Sequence, residues 1–332
     1  MITSLLVQLG AAAQAVGMNK TSFLGDKPVN RLGLGAMQFA GPGVFGPPHD
    51  PDGVRAVLRR AIELGVDHID TAQYYGPDVV NDLIRETLHP YPEDLKLVTK
   101  VGGRRDDKGA WLPAQSPTEL RAGVEDNLRS LRVERMDLVN LRLIGDEASG
   151  DLLAEQLGTL EDLRSEGKLD LIGISEAGVD VVHRALDLVD IAEVQNSYSV
   201  VNRASEDVLE LCIEREIAFV PYFPLGSAFT GGPKQLARDP VIAAIADRHE
   251  ITPTQVALAW LLARYERILL IPGTTSVAHL EQNMAAGDVE LGESDLAELE
   301  NVTQLGDPLA VAHDRPPQRV ASAVLVASSA GA

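Results

Sequence analysis

Eight short apolar runs, each followed by a helix-patterned segment, organise this 332-residue chain. The candidate strands are Leu32–Met37, Val66–Asp70, Leu95–Lys100, Met136–Leu141, Leu169–Ser175, Ala192–Gln195, Ala218–Pro221 and Ile268–Ile271. Amphipathic helices are expected at Asp52–Leu64, Val79–Leu88, Thr118–Leu131, Leu152–Ser165, Val179–Leu188, Ala204–Glu214, Gln235–Arg248, Thr254–Arg264 and Val277–Ala286. Strictly alternating strands and helices call for parallel strands joined by right-handed crossovers. Eight such units over roughly 250 residues predict a closed (β/α)8 TIM barrel. The alternative, an open doubly wound sheet, needs a Gly-rich turn that opens a helix. Gly33-Leu34-Gly35 and Gly41-Pro42-Gly43 do not supply the G-x-G-x-x-G pattern.

Local signals support these boundaries. Ser116-Pro117-Thr118-Glu119 and Thr252-Pro253-Thr254-Gln255 place capping residues and a proline at helix starts. Gly65 and Gly167 follow helical runs where a left-handed cap is expected. Residues 21–30 read as a β-hairpin plugging the barrel bottom. One domain is expected over residues 18–308, after a loose N-terminal extension (1–17) and before a mobile or loosely docked C-terminal tail (309–332).

A formal net charge of −20, with no concentrated Lys/Arg stripe, argues against a nucleic-acid partner. No run reaches the roughly 20 apolar residues of a membrane span. Residues 1–17 lack the basic start of a signal peptide, so the cytoplasm is the expected compartment. The one cysteine, Cys212, lies in an apolar-patterned run and reads as a buried thiol. No metal centre is expected.

Residues at strand C-termini of a barrel converge on one face, where active sites form. Asp70 ends the second expected strand, Lys100 the third, Arg142 follows the fourth, and Tyr75 lies in the loop after the second. A tyrosine is a poor acid at its free pKa of about 10. A lysine beside Tyr75 would lower that value, and Asp70 would keep the lysine charged and aimed. This makes a proton relay for reducing a carbonyl. The competing readings are a strand-end cap for Asp70, a snorkelling Lys100 and a loop aromatic at Tyr75.

The run Asp70-Thr71-Ala72-Gln73-Tyr74-Tyr75-Gly76 resembles the Asp-Thr-Ala-x-x-Tyr-Gly signature of the aldo-keto reductases, and Val98-Thr99-Lys100 resembles their lysine strand. The resemblance extends from about residue 19 to 303. It implies NADP(H) as cofactor, bound on the barrel face, and a small-molecule aldehyde or ketone as substrate. It places Ser175 and Gln195 at the nicotinamide carboxamide, Tyr222 against the ring, and Leu225, Gly226 and Ser227 along the pyrophosphate. Gly273, Thr274 and Ser276 lead into a helix whose N-terminal amides suit a 2′-phosphate, with His279 where the family often has arginine. Gln282 and Asn283 match the adenine end. Glu176 replaces the asparagine that usually follows the serine, and Arg142 stands where histidine is common. An arginine stays protonated, so Arg142 can donate hydrogen bonds but cannot act as a base. It is expected to polarise the substrate oxygen or hold an anionic substituent, the alternative being a salt bridge to Asp146 or Glu147.

A narrower resemblance, through Asn30–Gln38, Ala40–Pro48, Val139–Arg142 and Ser276–Leu280, is to bacterial pyridoxal reductases, also called pyridoxine 4-dehydrogenases. In that reading Phe45 packs on a flat substrate ring. Two other readings are a nicotinamide-binding regulatory subunit with little turnover and a Schiff-base lyase using Lys100. Neither needs the complete Asp70–Tyr75–Lys100 set.

Overall fold

A computed structural model describes residues 20–144, 150–226 and 232–305. The chain enters through the antiparallel hairpin β1 (Thr21–Leu24) and β2 (Lys27–Asn30). There follow β3 (Leu34–Gly35), α1 (Pro51–Glu63), β4 (His68–Asp70), α2 (Val79–Leu88), β5 (Lys96–Arg105), β6 (Trp111–Ala114) and α3 (Pro117–Leu131). The middle of the chain gives β7 (Met136–Arg142), α4 (Gly150–Ser165), β8 (Leu169–Ser175), α5 (Val179–Leu186), β9 (Ile191–Gln195), α6 (Glu206–Arg215) and β10 (Ala218–Phe219). Five helices complete it: α7 (Pro233–Leu236), α8 (Pro240–Arg248), α9 (Pro253–Arg264), α10 (Val277–Ala285) and α11 (Glu293–Leu299). The proposed extension 1–17 and tail 309–332 lie outside the described residues.

Parallel strands run in the order β3–β4–β5–β7–β8–β9–β10. The eighth position, expected as a strand at Ile268–Ile271, is held by isolated bridges instead. Ile268 pairs with Phe219 on one side and Leu270 with Leu32 on the other, both parallel. Hydrogen bonds from Leu269 N to Phe219 O (3.1 Å) and from Gly33 N to Leu270 O (2.8 Å) carry the seam, giving the (β/α)8 arrangement. Arg31 pins this seam from within. Its buried guanidinium donates to the carbonyls of Leu262 (2.7 Å), Tyr265 (2.5 Å) and Ile268 (3.3 Å). Burial pulls its pKa down to about 10, against the charge of Glu266.

Other expectations needed correction. The first strand does not reach Met37, because Met37–Phe39 coils into a 3-10 turn. The single helix expected over Gln235–Arg248 is two, α7 and α8. Pro240 cannot continue a preceding helix, and the Asp239 side chain caps the new one by accepting from Val241 N and Ile242 N. Past Lys100, β5 runs on to Arg105 and pairs antiparallel with β6, where Gly102-Gly103 and five charges over 104–108 obscure any alternation. Helix α11 was also unanticipated. The capping boxes at Ser116/Glu119 and Thr252/Gln255 form as read, and Gly65 and Gly167 adopt positive φ.

Apolar residues divide into two cores. The larger lies between strands and helices and includes Leu58, Ile84, Leu157, Phe219 and Trp260. The smaller fills the barrel interior with Val98, Leu138, Ala218, Val220, Leu269 and Ile271, joined by Leu24 and Val29 of the hairpin. The hairpin therefore plugs one end of the barrel, as its sequence suggested. Polar side chains take over toward the strand C-termini: Asn140 and Glu193 first, then Asp70, Lys100, Ser175 and Gln195, all buried.

Candidate active site

Asp70 is the last residue of β4 and is paired in register with Val98, two residues before Lys100 on β5. Both side chains point into the barrel mouth. Lys100 Nζ donates to Asp70 Oδ1 and to the carbonyl of Thr71 at 3.1 Å. The other carboxylate oxygen, Asp70 Oδ2, accepts from Gln195 Nε2 at 2.9 Å. Each member is almost wholly buried, so the ion pair is held by geometry and fully satisfied on the Asp70 side. Tyr75, also buried, sits above it with its ring centroid 5.4 Å from Lys100 Nζ.

The Asp70–Tyr75 turn is tied down by a buried polar network. Thr71 Oγ1 donates to Asn81 Oδ1 (2.8 Å), and Asn81 Nδ2 donates to Asn127 Oδ1 (3.1 Å) and Ser130 Oγ (2.9 Å). Thr99 Oγ1 on the lysine strand donates to the same Asn127 oxygen at 2.6 Å. The turn, α2, α3 and β5 thus share one set of hydrogen bonds. Sequence reading missed it. The available signal was an asparagine on each helix within an apolar-patterned face.

Electrostatics differ from expectation at Tyr75. Burial raises its pKa above that of a free tyrosine and Asp70 adds to the rise. The cation acting to lower it is Arg142 rather than Lys100, whose charge is already spent on Asp70. The proton is firmly held until an acceptor arrives.

Arg142 ends β7 half-buried, with Nη1 donating to Ser175 Oγ at 3.0 Å and its guanidinium 5.2 Å from the Tyr222 ring. Tyr222 in turn donates through its hydroxyl to Glu176 Oε1. Burial would lower the arginine pKa, but the facing Tyr222 and Glu176 outweigh it and hold Arg142 protonated. Its charged neighbour among the described residues is therefore Glu176; Asp146 and Glu147 lie outside them. Glu176 adopts a positive φ of 63°, a conformation that the Cβ of most residues disfavours and in which asparagine is at ease.

The loop expected to carry Phe45 is gripped by the β5–β6 hairpin. Arg105 donates to the carbonyls of Val44 (2.7 Å), Gly43 (2.9 Å) and Gly109 (2.6 Å). Its guanidinium lies 4.0 Å from the Trp111 ring and 5.4 Å from the Phe45 ring. Tyr74 is edge-on to both Tyr75 (5.4 Å) and Trp111 (5.7 Å), linking this hairpin to the Asp70–Tyr75 turn. Arg105 and Trp111 were not singled out in the sequence.

Of the residues expected at a dinucleotide, Ser175 and Gln195 stand at the site described, and Tyr222 faces it through Arg142. Ser276 caps α10, its side chain accepting from His279 N, while Thr274 Oγ1 accepts from Ser276 N at 3.1 Å. Thr274 and Asn283 are buried, Gly273 is half-buried, and His279 and Gln282 are exposed. Leu225 and Gly226 are half-buried in the turn after β10; Ser227 lies outside the described residues. Two observations fit a nicotinamide dinucleotide. Gln195 Oε1 is buried without a hydrogen-bond partner, the condition of an acceptor awaiting an amide N–H. The first turn of α10 carries no acidic residue, so no carboxylate there repels an anion.

The profile of the aldo/keto reductase family matches residues 31–304. The chain belongs to the aldo/keto reductase family. This reductase is thus an oxidoreductase acting on carbonyl groups. It is 47% identical to pyridoxine 4-dehydrogenase of Escherichia coli over 290 residues, covering 86% of this chain and 99% of that one. Among solved structures, the Klebsiella pneumoniae aldo/keto reductase in complex with NADP and acetate superposes with a TM-score of 0.71 at 26% identity, over 85% of this chain and 94% of that one. Glycerol dehydrogenase of Gluconobacter oxydans shares the reductase's fold, with a TM-score of 0.73 at 21% identity over 90% and 97% of the two chains.

Proposed function

We propose that this reductase uses NADP(H) to interconvert pyridoxal and pyridoxine, with Tyr75 as the proton donor in the reductive direction. The observation that carries the reading is the buried Tyr75 ring set over the Asp70–Lys100 ion pair at the barrel mouth. The likeness to pyridoxine 4-dehydrogenase directs the choice of substrate. When bound, the cofactor supplies hydride to the aldehyde carbon. Tyr75 protonates the aldehyde oxygen as negative charge develops there. The tyrosinate left behind is stabilised by Arg142, the cation that acts on Tyr75.

Asp70 fixes Lys100 in place, and Gln195 fixes Asp70 while keeping its Oε1 for the nicotinamide carboxamide beside Ser175. Arg142 meets the substrate. The pyridoxal ring carries an ionisable hydroxyl ortho to its aldehyde, and a permanently charged guanidinium suits that pair of oxygens. Tyr222 lines the nicotinamide space. Leu225, Gly226 and Ser227 follow the pyrophosphate, and Gly273, Thr274, Ser276, His279, Gln282 and Asn283 hold the adenosine end. Phe45, braced by Arg105, borders the substrate ring. The working unit is the 18–308 domain, and the compartment is the cytoplasm, where the single buried thiol, pushed up to about 12 by burial, stays inert.

The test is NADPH oxidation by purified protein over a panel of aldehydes and ketones, repeated with NADH. Turnover is expected with pyridoxal and faster with NADPH. No oxidation with any carbonyl would end the proposal, and turnover confined to unrelated aldehydes would remove pyridoxal from it.

A further inference from the structure

Strand β9 carries Glu193 and Gln195 two residues apart, so both face the barrel interior. Gln195 belongs to the site already described. Glu193 lies one layer deeper, 2% exposed, with Oε1 accepting from Asn140 Nδ2 at 2.6 Å. Asn140 is the register partner of Lys100 on one side and of Gly173 on the other, and Gly173 pairs with Glu193. The glycine is required there. A Cβ at 173 would come within 2.2 Å of Asn140 Oδ1 and 2.9 Å of Glu193 Cγ. The Asn140–Glu193 pair therefore has a space built for it directly beneath the lysine.

Packing alone does not call for an acid. A glutamine would fill the same volume and accept from the same amide without the cost of burying a carboxylate. The charged groups acting on Glu193 are Asp70 from β4 and Lys100 from β5. β8 offers Gly173 and Leu171, β10 offers Ala218, and the hairpin offers Leu24 and Val29, none titratable.

We propose that Glu193 is a positioning residue for the Asp70–Lys100–Tyr75 centre, a second buried acid whose ionisation sets the charge beneath Lys100 and hence the pH range over which Tyr75 delivers its proton. The assignment rests on Tyr75 as donor. Burial pushes the Glu193 carboxyl up to about 7, the Asn140 hydrogen bond and Lys100 opposing the rise and Asp70 adding to it. The group thus changes charge near neutrality. An ionised Glu193 places a second negative charge beside the Asp70–Lys100 pair, and a neutral one removes it.

The experiment compares wild type with Glu193→Gln, which keeps the acceptor for Asn140 Nδ2. Two readouts are taken from pH 5 to 10: kcat for NADPH-driven pyridoxal reduction and the thermal midpoint. The glutamine cannot ionise, so the charge beside the Asp70–Lys100 pair no longer changes with pH. The inflection near neutrality should disappear. A folded-state carboxyl pKa above the unfolded value of 4.5 means stability falls as pH rises through 4.5 to 7 in wild type alone. The Gln variant should therefore gain thermal midpoint relative to wild type as pH rises.

Superposable kcat profiles, or thermal curves that stay parallel, would overturn the proposal. An active Tyr75→Phe enzyme would overturn it together with the donor assignment; an inactive one with unchanged Glu193→Gln profiles would remove Glu193 alone. Should Glu193→Gln not fold, Asn140→Ser removes the hydrogen bond that restrains the Glu193 pKa. The neutral inflection must then move to higher pH, and an unmoved inflection overturns the proposal.

Discussion

At the residue scale, two side chains separate chemistry from binding. Tyr75 holds its proton firmly because burial and Asp70 both raise its pKa, which suits the proposed role of proton donor. Tyr75→Phe should lower kcat by about 10²- to 10⁴-fold while NADPH binding, followed by fluorescence, is retained. Retained turnover would strip the tyrosine of its role. Arg142 is kept charged by Tyr222 and Glu176, so its hydrogen bonds should not weaken between pH 5 and 9. Arg142→Leu should raise KM for pyridoxal more than KM for an aldehyde without the ortho hydroxyl. Equal effects on both would show that Arg142 serves the carbonyl oxygen alone. Arg142 was readable in the sequence as a departure at a known position. Its partners were not, because Glu176 and Tyr222 are 46 residues apart and meet only when β8 and the turn after β10 are side by side.

At the element scale, strand ends bring the candidate site residues together and helices keep them still. Asn127 joins α3 to Thr99 and, through Asn81, to the Asp70–Tyr75 turn. Asn127→Ala should strand buried polar groups and lower stability by about 1–3 kcal/mol, measured by urea unfolding, with kcat falling alongside. Arg31 does for the barrel seam what Asn127 does for the turn. Arg31→Met leaves carbonyls at the end of α9 and in the closing segment unsatisfied and should cost about 2–4 kcal/mol. An unchanged unfolding midpoint would show the seam holds without it. The alternation of strands and helices was legible because each element buries a face with its own period. The closing segment Ile268–Ile271 was legible as apolar but not as isolated bridges, since pairing geometry depends on both neighbours. The β5–β6 hairpin escaped notice because its strands present glycine, arginine and proline where alternation would show.

At the scale of the whole molecule, the barrel interior is filled by apolar side chains toward the hairpin and by polar ones toward the mouth. Asp70 and Lys100 neutralise each other, leaving Glu193 as the unpaired acid of the described barrel interior. Its raised pKa means a stability penalty of about 3 kcal/mol once pH exceeds 7, absent below 4.5, which should appear as a falling thermal midpoint across that window. A flat midpoint would show that Glu193 ionises as freely folded as unfolded. The fold, and the candidate residues that it brings together, followed from motif and strand order. Layering inside the barrel did not, because it depends on which residues of five strands share a height. The central claim is hydride transfer to an aldehyde carbon coupled to proton delivery from Tyr75. NADPH deuterated at the transferring carbon, incubated with pyridoxal, tests it most directly by mass spectrometry of the product. The prediction is pyridoxine carrying one deuterium at the former aldehyde carbon with wild type and a loss of about 10²-fold or more with Tyr75→Phe. Unlabelled pyridoxine, no pyridoxine, or equal labelling rates for the two proteins would contradict it.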